Sequence, residues 1–486
     1  MRDLLARILD KIPPIPFCFM GMGIFRVWTG TVTDSLVFPF QAAGTYACFD
    51  ILTAAILMSM ALLSQWLVPL YKKPLVFSLT AFFMIACACM NFLAVLYPGL
   101  AHVIAWPAVI SGALGISLIL MLWSEFFGCI NPLRVALYYS AGIVVSMVIL
   151  WIFKGFTFYW LWAGTCLIPV VSLWCLWRAY ATLPPDEAPH ATWGAFSFPW
   201  KPILVVCLYS FSFGMHESIF TVYLSKNSGI GELFAALFVV LAVSFYRETF
   251  KFSSIWKLAM PLMLASLIPF SSLFPAGSAL SDFFALASYT LYTILIMAIL
   301  SNLVYRYGVC ALWIFGIERA VRLLAVQAGF AVTNAVRLTA APQIADTILI
   351  VSIALFITIA TKFFFSEKGL SAPWGVVLKK PIAQDRELYL EKNRLGVKCR
   401  NLAKQCGLTS REEEILLLLA QNKKLKAIEK ELFVAKSTVK THVKHLYQKL
   451  DVHSRTELFE LLGVNDAAET KGGAREANDG NSVLLE

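Results

Sequence analysis

Long apolar runs fill the first three-quarters of the chain, and they do not alternate. Twelve of them lie near residues 14–32, 43–70, 75–97, 101–126, 133–153, 157–180, 202–224, 231–247, 255–275, 280–305, 308–333 and 343–365. About twenty apolar residues are what a helix needs to cross a bilayer. A spanning strand would show a two-residue period instead. After Phe365 the pattern becomes helical with distinct polar faces. The chain is therefore expected to be all-α. A polytopic bundle of twelve spans should occupy 1–365, with a cytoplasmic linker over 366–407, a four-helix domain over 408–464 and a disordered tail over 465–486.

Composition supports that division. Of 486 residues 59% are hydrophobic and 14% charged, against about 25% charged in soluble domains. Mean hydropathy is +0.72. One water-soluble core cannot absorb such a balance. The start, MRDLLARILDKIPP, lacks a clean small-residue cleavage site and reads as the cytoplasmic lead-in to the first span. Of eleven cysteines, most lie in apolar runs and none forms a CxxC pair, so reduced thiols are expected and no metal.

Basic residues in short connections set orientation. Arg2, Arg7 and Lys11, Lys72 and Lys73, Arg134, Arg178, Lys201, Arg247, Lys251, Lys257, Arg306, Lys362 and Lys368 fall on one side of a twelve-span chain. Lys154, Lys226 and Arg337 fall on the other. Both termini are then cytoplasmic. Residues 181–201, with four prolines, form the longest polar connection and divide the spans six and six. In span count and loop position this resembles the major facilitator fold. The loop between spans two and three, PLYKKPL, lacks the acidic residue and glycines that couple the two halves in transporters of that family.

Ionisable residues inside spans are costly and are candidates for function. Arg26 in span one and the pair His216 and Glu217 in span seven would border a facilitator-type cavity, which makes them the candidate ligand-sensing residues. Internal ion pairs that only hold helices together are the alternative. That alternative suits Glu125, Glu318, Arg319 and Arg322 better, because Glu318 and Arg322 stand four apart on one helix.

Between Lys379 and Glu460 eighteen Lys/Arg face eleven Asp/Glu, a net +7 of the chain's +10. That is an electrostatic footprint for phosphate. Thr409-Ser-Arg-Glu412 predicts a capping box and Asn422 a left-handed stop. A short helix follows over 426–432, then a tight turn, then a third helix capped by Ser437 or Thr438 and running to Leu450. Val439, Val443, Leu446 and Leu450 share its core face, while Lys440, Thr441, Lys444, His445 and Gln448 lie on the flanks. A fourth helix covers 455–462. Leu388, Leu395 and Leu402, spaced by seven, hint at a dimerising helix ahead of the domain.

Residues 408–458 resemble the LuxR-type bacterial DNA-binding domain. The match runs through Leu408-Thr409-x-Arg411-Glu412-x-Glu414, Leu418-Leu419-Ala420, Ser437-x-Val439-Lys440-x-His442 and Tyr447-x-Lys449-Leu450-x-Val452-x-Ser454-Arg455-x-Glu457-Leu458. The resemblance implies a helix-turn-helix whose third helix enters the major groove of double-stranded promoter DNA. Lys440, Thr441 and Lys444 would face bases, with Thr438, His445 and Arg455 nearer the backbone or the fold. Lys436 and Ser437 at the helix start complete the DNA-binding set. The fourth helix is that family's dimer surface, so a homodimer on DNA is expected. Asn422 and Glu429 depart from the family's Gly and Ala, which should alter packing of the scaffold helix.

No receiver-type domain precedes the motif, so phosphorelay input is not expected. The whole reads as a membrane-bound one-component transcription regulator that answers an unidentified small-molecule signal, sits in membrane lipid, and uses no cofactor or enzymatic chemistry. A facilitator-type transporter with a DNA- or protein-binding tail is the alternative.

Overall fold

The computed structural model describes residues 15–32, 45–183, 189, 194–198, 200–220, 229–245, 252–268, 277–339, 342–365, 378–381 and 386–463. The tail over 465–486 and most of the proline-rich connection lie outside these. The chain forms two compact units, Met1–Arg394 with Glu431–Val434, and Leu395–Lys430 with Ala435–Glu486.

Each of the twelve apolar runs is a helix. They are α1 (Gly21–Val32, preceded by a 3₁₀ turn), α2 (Thr45–Leu62), α3 (Pro74–Leu96), α4 (Ala101–Gly128), α5 (Pro132–Phe153) and α6 (Phe158–Tyr180). The second six are α7 (Trp200–Phe220), α8 (Ile230–Phe245), α9 (Ser253–Ser266), α10 (Gly277–Tyr307), α11 (Ala311–Thr339) and α12 (Pro342–Phe365). Seven have the length and apolarity to cross a membrane, and Phe17–Val32, Cys48–Leu62 and Ile230–Phe245 are shorter apolar helices. Trp151 and Trp160 are exposed, 75% and 70%, while Trp28 and Trp123 are fully buried. The unit's outer surface therefore carries exposed tryptophan, while other tryptophans pack inside.

Starts follow local chemistry. Pro74 and Pro132 occupy the first helical position, where a missing amide costs nothing, and the Asn131 side chain accepts from Leu133 N at 2.9 Å. Span two is shorter than the 43–70 expected. It stops at Leu62, gives one further turn over Ser64–Leu67, and meets Pro69, which has no amide to continue a helix. Glu125 of α4 holds the non-helical stretch by accepting from Leu70 N at 3.0 Å and Tyr71 N at 3.2 Å. Its carboxylate thus serves the fold.

Packing partners repeat with an offset of six. α1 packs on α5 and α6, as α7 packs on α11 and α12. α2 meets α4 as α8 meets α10, and α3 meets α4 and α6 as α9 meets α10 and α12. The halves join through α2 with α11 and α5 with α8, a pair of contacts that the same offset exchanges. This is the internal repetition of a six-plus-six bundle. The matching crossings are made at glycines. A Cβ on Gly142 would lie 3.1 Å from Gly23 N, and one on Gly329 would lie 3.0 Å from Gly214 C, so both pairs bring backbones together. Polar cross-links add to this: Trp123 Nε1 donates to Ser172 Oγ at 3.1 Å, which donates to Gly21 O at 2.8 Å.

The all-α expectation needs one addition. Gly194–Phe196 (β1) pairs antiparallel with Leu378–Pro381 (β2), Gly194 opposite Pro381 and Ala195 opposite Lys380.

The remaining helices are α13 (Arg386–Gln405), α14 (Ser410–Ala420), α15 (Leu425–Leu432), α16 (Lys436–Leu450) and α17 (Arg455–Leu462). The boundary differs from the expected linker over 366–407. From Leu395 onward α13 belongs to the second unit, burying Leu395, Cys399 and Ala403. Lys398 Nζ donates to Leu462 O at 2.6 Å. Residues four apart lie on one helical face, so Leu395, Cys399 and Ala403 form the buried stripe of α13.

Candidate nucleic-acid interface

The third helix of the small unit is presented by its neighbours. Thr409 caps α14 as expected: its hydroxyl accepts from Glu412 N at 3.3 Å and its amide donates to Glu412 Oε2 at 2.7 Å. Lys449 of α16 donates to the same oxygen at 2.7 Å, tying α16 to α14. Burial alone would push the Glu412 carboxyl up. The hydrogen bonds from Lys449 and Thr409 outweigh it and hold the group below its ordinary value. Arg455 donates to Lys423 O at 3.0 Å and Leu419 O at 3.4 Å, closing the C-terminal end of α14. Its role is in the fold. Asn422 has φ 58°, the left-handed stop expected, and Asn tolerates that region better than most non-glycine residues. Phe433 in the turn and Asp451 after α16 each have φ 53°.

α16 begins two or three residues earlier than expected. Ala435 is its N-cap, no side chain caps it, and neither Ser437 nor Thr438 serves that role. The exposed hydroxyl of Ser437 and the helix's first amides therefore share an uncapped end, the kind of terminus that favours an anion. Val439, Val443, Leu446 and Leu450 are buried as the periodicity required. On the other side Lys436, Ser437, Thr441, Lys444, His445 and Gln448 are exposed, with Thr438 and Lys440 half-buried at the edges. The exposed face centres on Thr441, Lys444 and Gln448, and Lys440 reaches it from the flank. Gln448 belongs to that face although charge-based reasoning left it out of the candidate set. Glu429, in place of a small residue, is half-buried, while its neighbour Ile428 is fully buried and fills the core.

Of the three candidate sensing residues, Arg26 lies on α1 and His216 and Glu217 on α7. Arg26 is not an isolated charge, because its Nη2 lies 2.8 Å from Glu232 Oε2 of α8. Glu232 stands in the first turn of its span, where sequence alone reads it as an end residue. His216 is buried, with Nε2 3.4 Å from both Ser266 O and Ser281 Oγ. Glu217 is half-buried on α7. Glu318 and Arg322 form the intrahelical pair that their spacing predicted. Among the described residues no group of His, Cys, Asp and Glu is arranged to hold a metal ion.

A capped first helix, a short second helix, a tight turn and a third helix with a sealed apolar face and an open basic one define a helix-turn-helix DNA-binding domain. Residues 407–462 match the family described as bacterial regulatory proteins, luxR family, and through them the chain belongs to that family. It is 42% identical over 60 residues to the spore germination protein GerE of Bacillus subtilis, covering 81% of that protein and 12% of this chain. It is 51% identical over 51 residues to the transcriptional regulatory protein LiaR of the same organism, covering 24% of that protein and 10% of this chain. With the nitrate/nitrite response regulator protein NarL of Escherichia coli it shares 48% identity over 50 residues, 23% of that protein and 10% of this chain. The chain thus spans about a quarter of LiaR and NarL.

Proposed function

We propose that the chain is a membrane-embedded one-component transcription regulator of the cytoplasmic membrane, with both termini cytoplasmic. Residues 1–365 receive a small-molecule signal within the lipid bilayer. Residues 408–464 bind double-stranded promoter DNA as a homodimer. Lys436, Ser437, Thr438, Lys440, Thr441, Lys444 and His445 lie on the DNA side, with the lysines and hydroxyls positioning α16 on phosphate and the central residues reading base edges. The observation that carries this reading is the exposed basic face of α16 in a luxR-family domain, on a chain in which, among the described residues, seven helices are long and apolar enough to cross a membrane. Signal and DNA binding are coupled by a shift between conformations of the membrane unit that differ in how they present or pair the DNA-binding heads. No catalytic role is assigned.

The reading is tested by gel shift of the chain on its own promoter region, together with transcript comparison with and without the gene. A chain that binds no DNA and changes no transcript defeats it. The offset-six packing of α1–α12 favours one alternative, a facilitator-type transporter whose tail regulates its expression. Uptake by the purified chain in liposomes separates the two.

A further inference from the structure

The only strands among the described residues sit at two junctions of the first unit. β1 lies in the connection between the two sets of six helices, and α7 begins at Trp200, after residues 197–199. β2 lies in the chain between α12 and α13, and α13 begins at Arg386, after residues 382–385. The two pair antiparallel, with Ala195 opposite Lys380 and Phe196 opposite Leu378. Their main-chain ladder therefore ties the start of α7 to the segment that leads to the DNA-binding helices.

Chain length shows what this pairing changes. Residues 366–385 separate α12 from α13. A linker of that many residues, anchored only at its ends, has an end-to-end distance of roughly 25 Å. A small displacement of a membrane helix is lost over such a tether. With β2 held by β1 the path is much shorter. Segments 197–199 and 382–385 reach at most about 10 Å and about 14 Å.

α7, at one end of that path, is firmly joined to its neighbours. It packs on α11 and α12. A Cβ on Gly214 would meet Val326 O of α11, so the two backbones touch. At the far end of α7, Arg337 of α11 donates to Ser218 O at 3.2 Å and to Ile219 O at 3.3 Å, and pairs with Asp346 of α12 at 3.1 Å. His216 and Glu217 lie on this same helix. A shift of α11 or α12 thus displaces α7, and α7 displaces β1.

We propose that the β1–β2 ladder is the transmission element of the protein. Paired, it carries a displacement of α7 to the start of α13; opened, it uncouples the DNA-binding helices from the membrane unit. A two-stranded ribbon is marginal by itself, so the ladder opens at small cost, as a clutch must. The inference rests on the regulator reading and names the element through which the signal passes.

The test uses the full chain in lipid nanodiscs. Ala195→Cys with Lys380→Cys places thiols on opposed residues, whose Cα separation of roughly 4.5–5.5 Å suits a disulfide. After mild oxidation, peptide mapping should find the 195–380 link. Gly194→Cys with Leu378→Cys, out of register, should not link. Coupling is read by gel shift on the chain's own promoter region. Gly214→Ala pushes α7 off α11 and should change promoter affinity about fivefold or more. Glu217→Gln, a gentler change on the same helix, should act likewise and keeps the test valid if Gly214→Ala misfolds. Ala195→Pro with Phe196→Pro removes two adjacent amides, one of which faces the partner strand. In that background both α7 changes should have little effect, while promoter binding itself persists. The proposal is overturned if the 195–380 link does not form or the out-of-register pair links equally. It is also overturned if the α7 changes act as strongly in the double-proline background, or if neither alters promoter affinity in a folded chain. A chain that binds no promoter DNA in any form defeats the regulator reading and the proposal with it. Promoter binding with equal responses in both backgrounds defeats the proposal alone.

Discussion

Lys440, Thr441 and Lys444 sit at the point where α16 turns from core to solvent, and substitutions there separate base reading from phosphate binding. If Lys440 contacts a base edge, Lys440→Ala should cost ~1–3 kcal/mol at the promoter site and little on random DNA. Lys444→Ala, if it meets only phosphate, should weaken both and lower the salt slope by about one unit. Binding of residues 380–464 to both DNAs across salt concentrations measures each effect. If both variants bind like wild type while folded, α16 is not the reading helix. The uncapped Ala435 gives a stability test. Ala435→Ser supplies the missing acceptor for the first-turn amides and should raise the fragment's unfolding free energy by about 1 kcal/mol in urea titration. No gain would mean that these amides already have partners. Glu412 predicts a pH dependence. Its carboxyl is held below the ordinary range in the fold, so its contribution is present above the unfolded value of about 4.3 and lost as pH falls through the lower folded value. Melting of Glu412→Gln should therefore lie below wild type at neutral pH and converge with it in acid.

Elements were legible where period and capping agree. The core face of α16, the capping box of α14 and the stop at Asn422 all follow from spacing, because a helix repeats every 3.6 residues whatever surrounds it. On α13 two apolar spacings share Leu395, and packing buries Cys399 and Ala403 with it. Span two was overextended because apolarity continues through Pro69 while the helix does not. The glycine crossings are also set by tertiary contact. Gly23→Val and Gly329→Val place branched side chains where two backbones meet, so each should destabilise the membrane unit by ~1–3 kcal/mol or more. Melting of the detergent-solubilised chain measures it, and Gly155→Ala, at an exposed turn, serves as control. Equal melting of all variants would show that the helices separate without cost.

At the scale of the whole molecule, topology is the first quantity to test. Reporter fusions after Glu367 and within residues 184–192 should both read cytoplasmic, because basic residues collect in the loops on that side. An external reading at either position defeats the twelve-span arrangement. The sequence by itself determined the two-part division and the helix-turn-helix. It also determined the place of all twelve apolar helices. Each of these depends on local period, composition and capping. The tertiary structure decided that Arg26 meets Glu232 across 206 positions and that α2 meets α11 while α5 meets α8. It also set Arg319 and Arg322 on the one carboxylate of Glu318. Charge balance inside a bundle depends on which side chains from distant helices come within a few ångströms, and no local pattern carries that information.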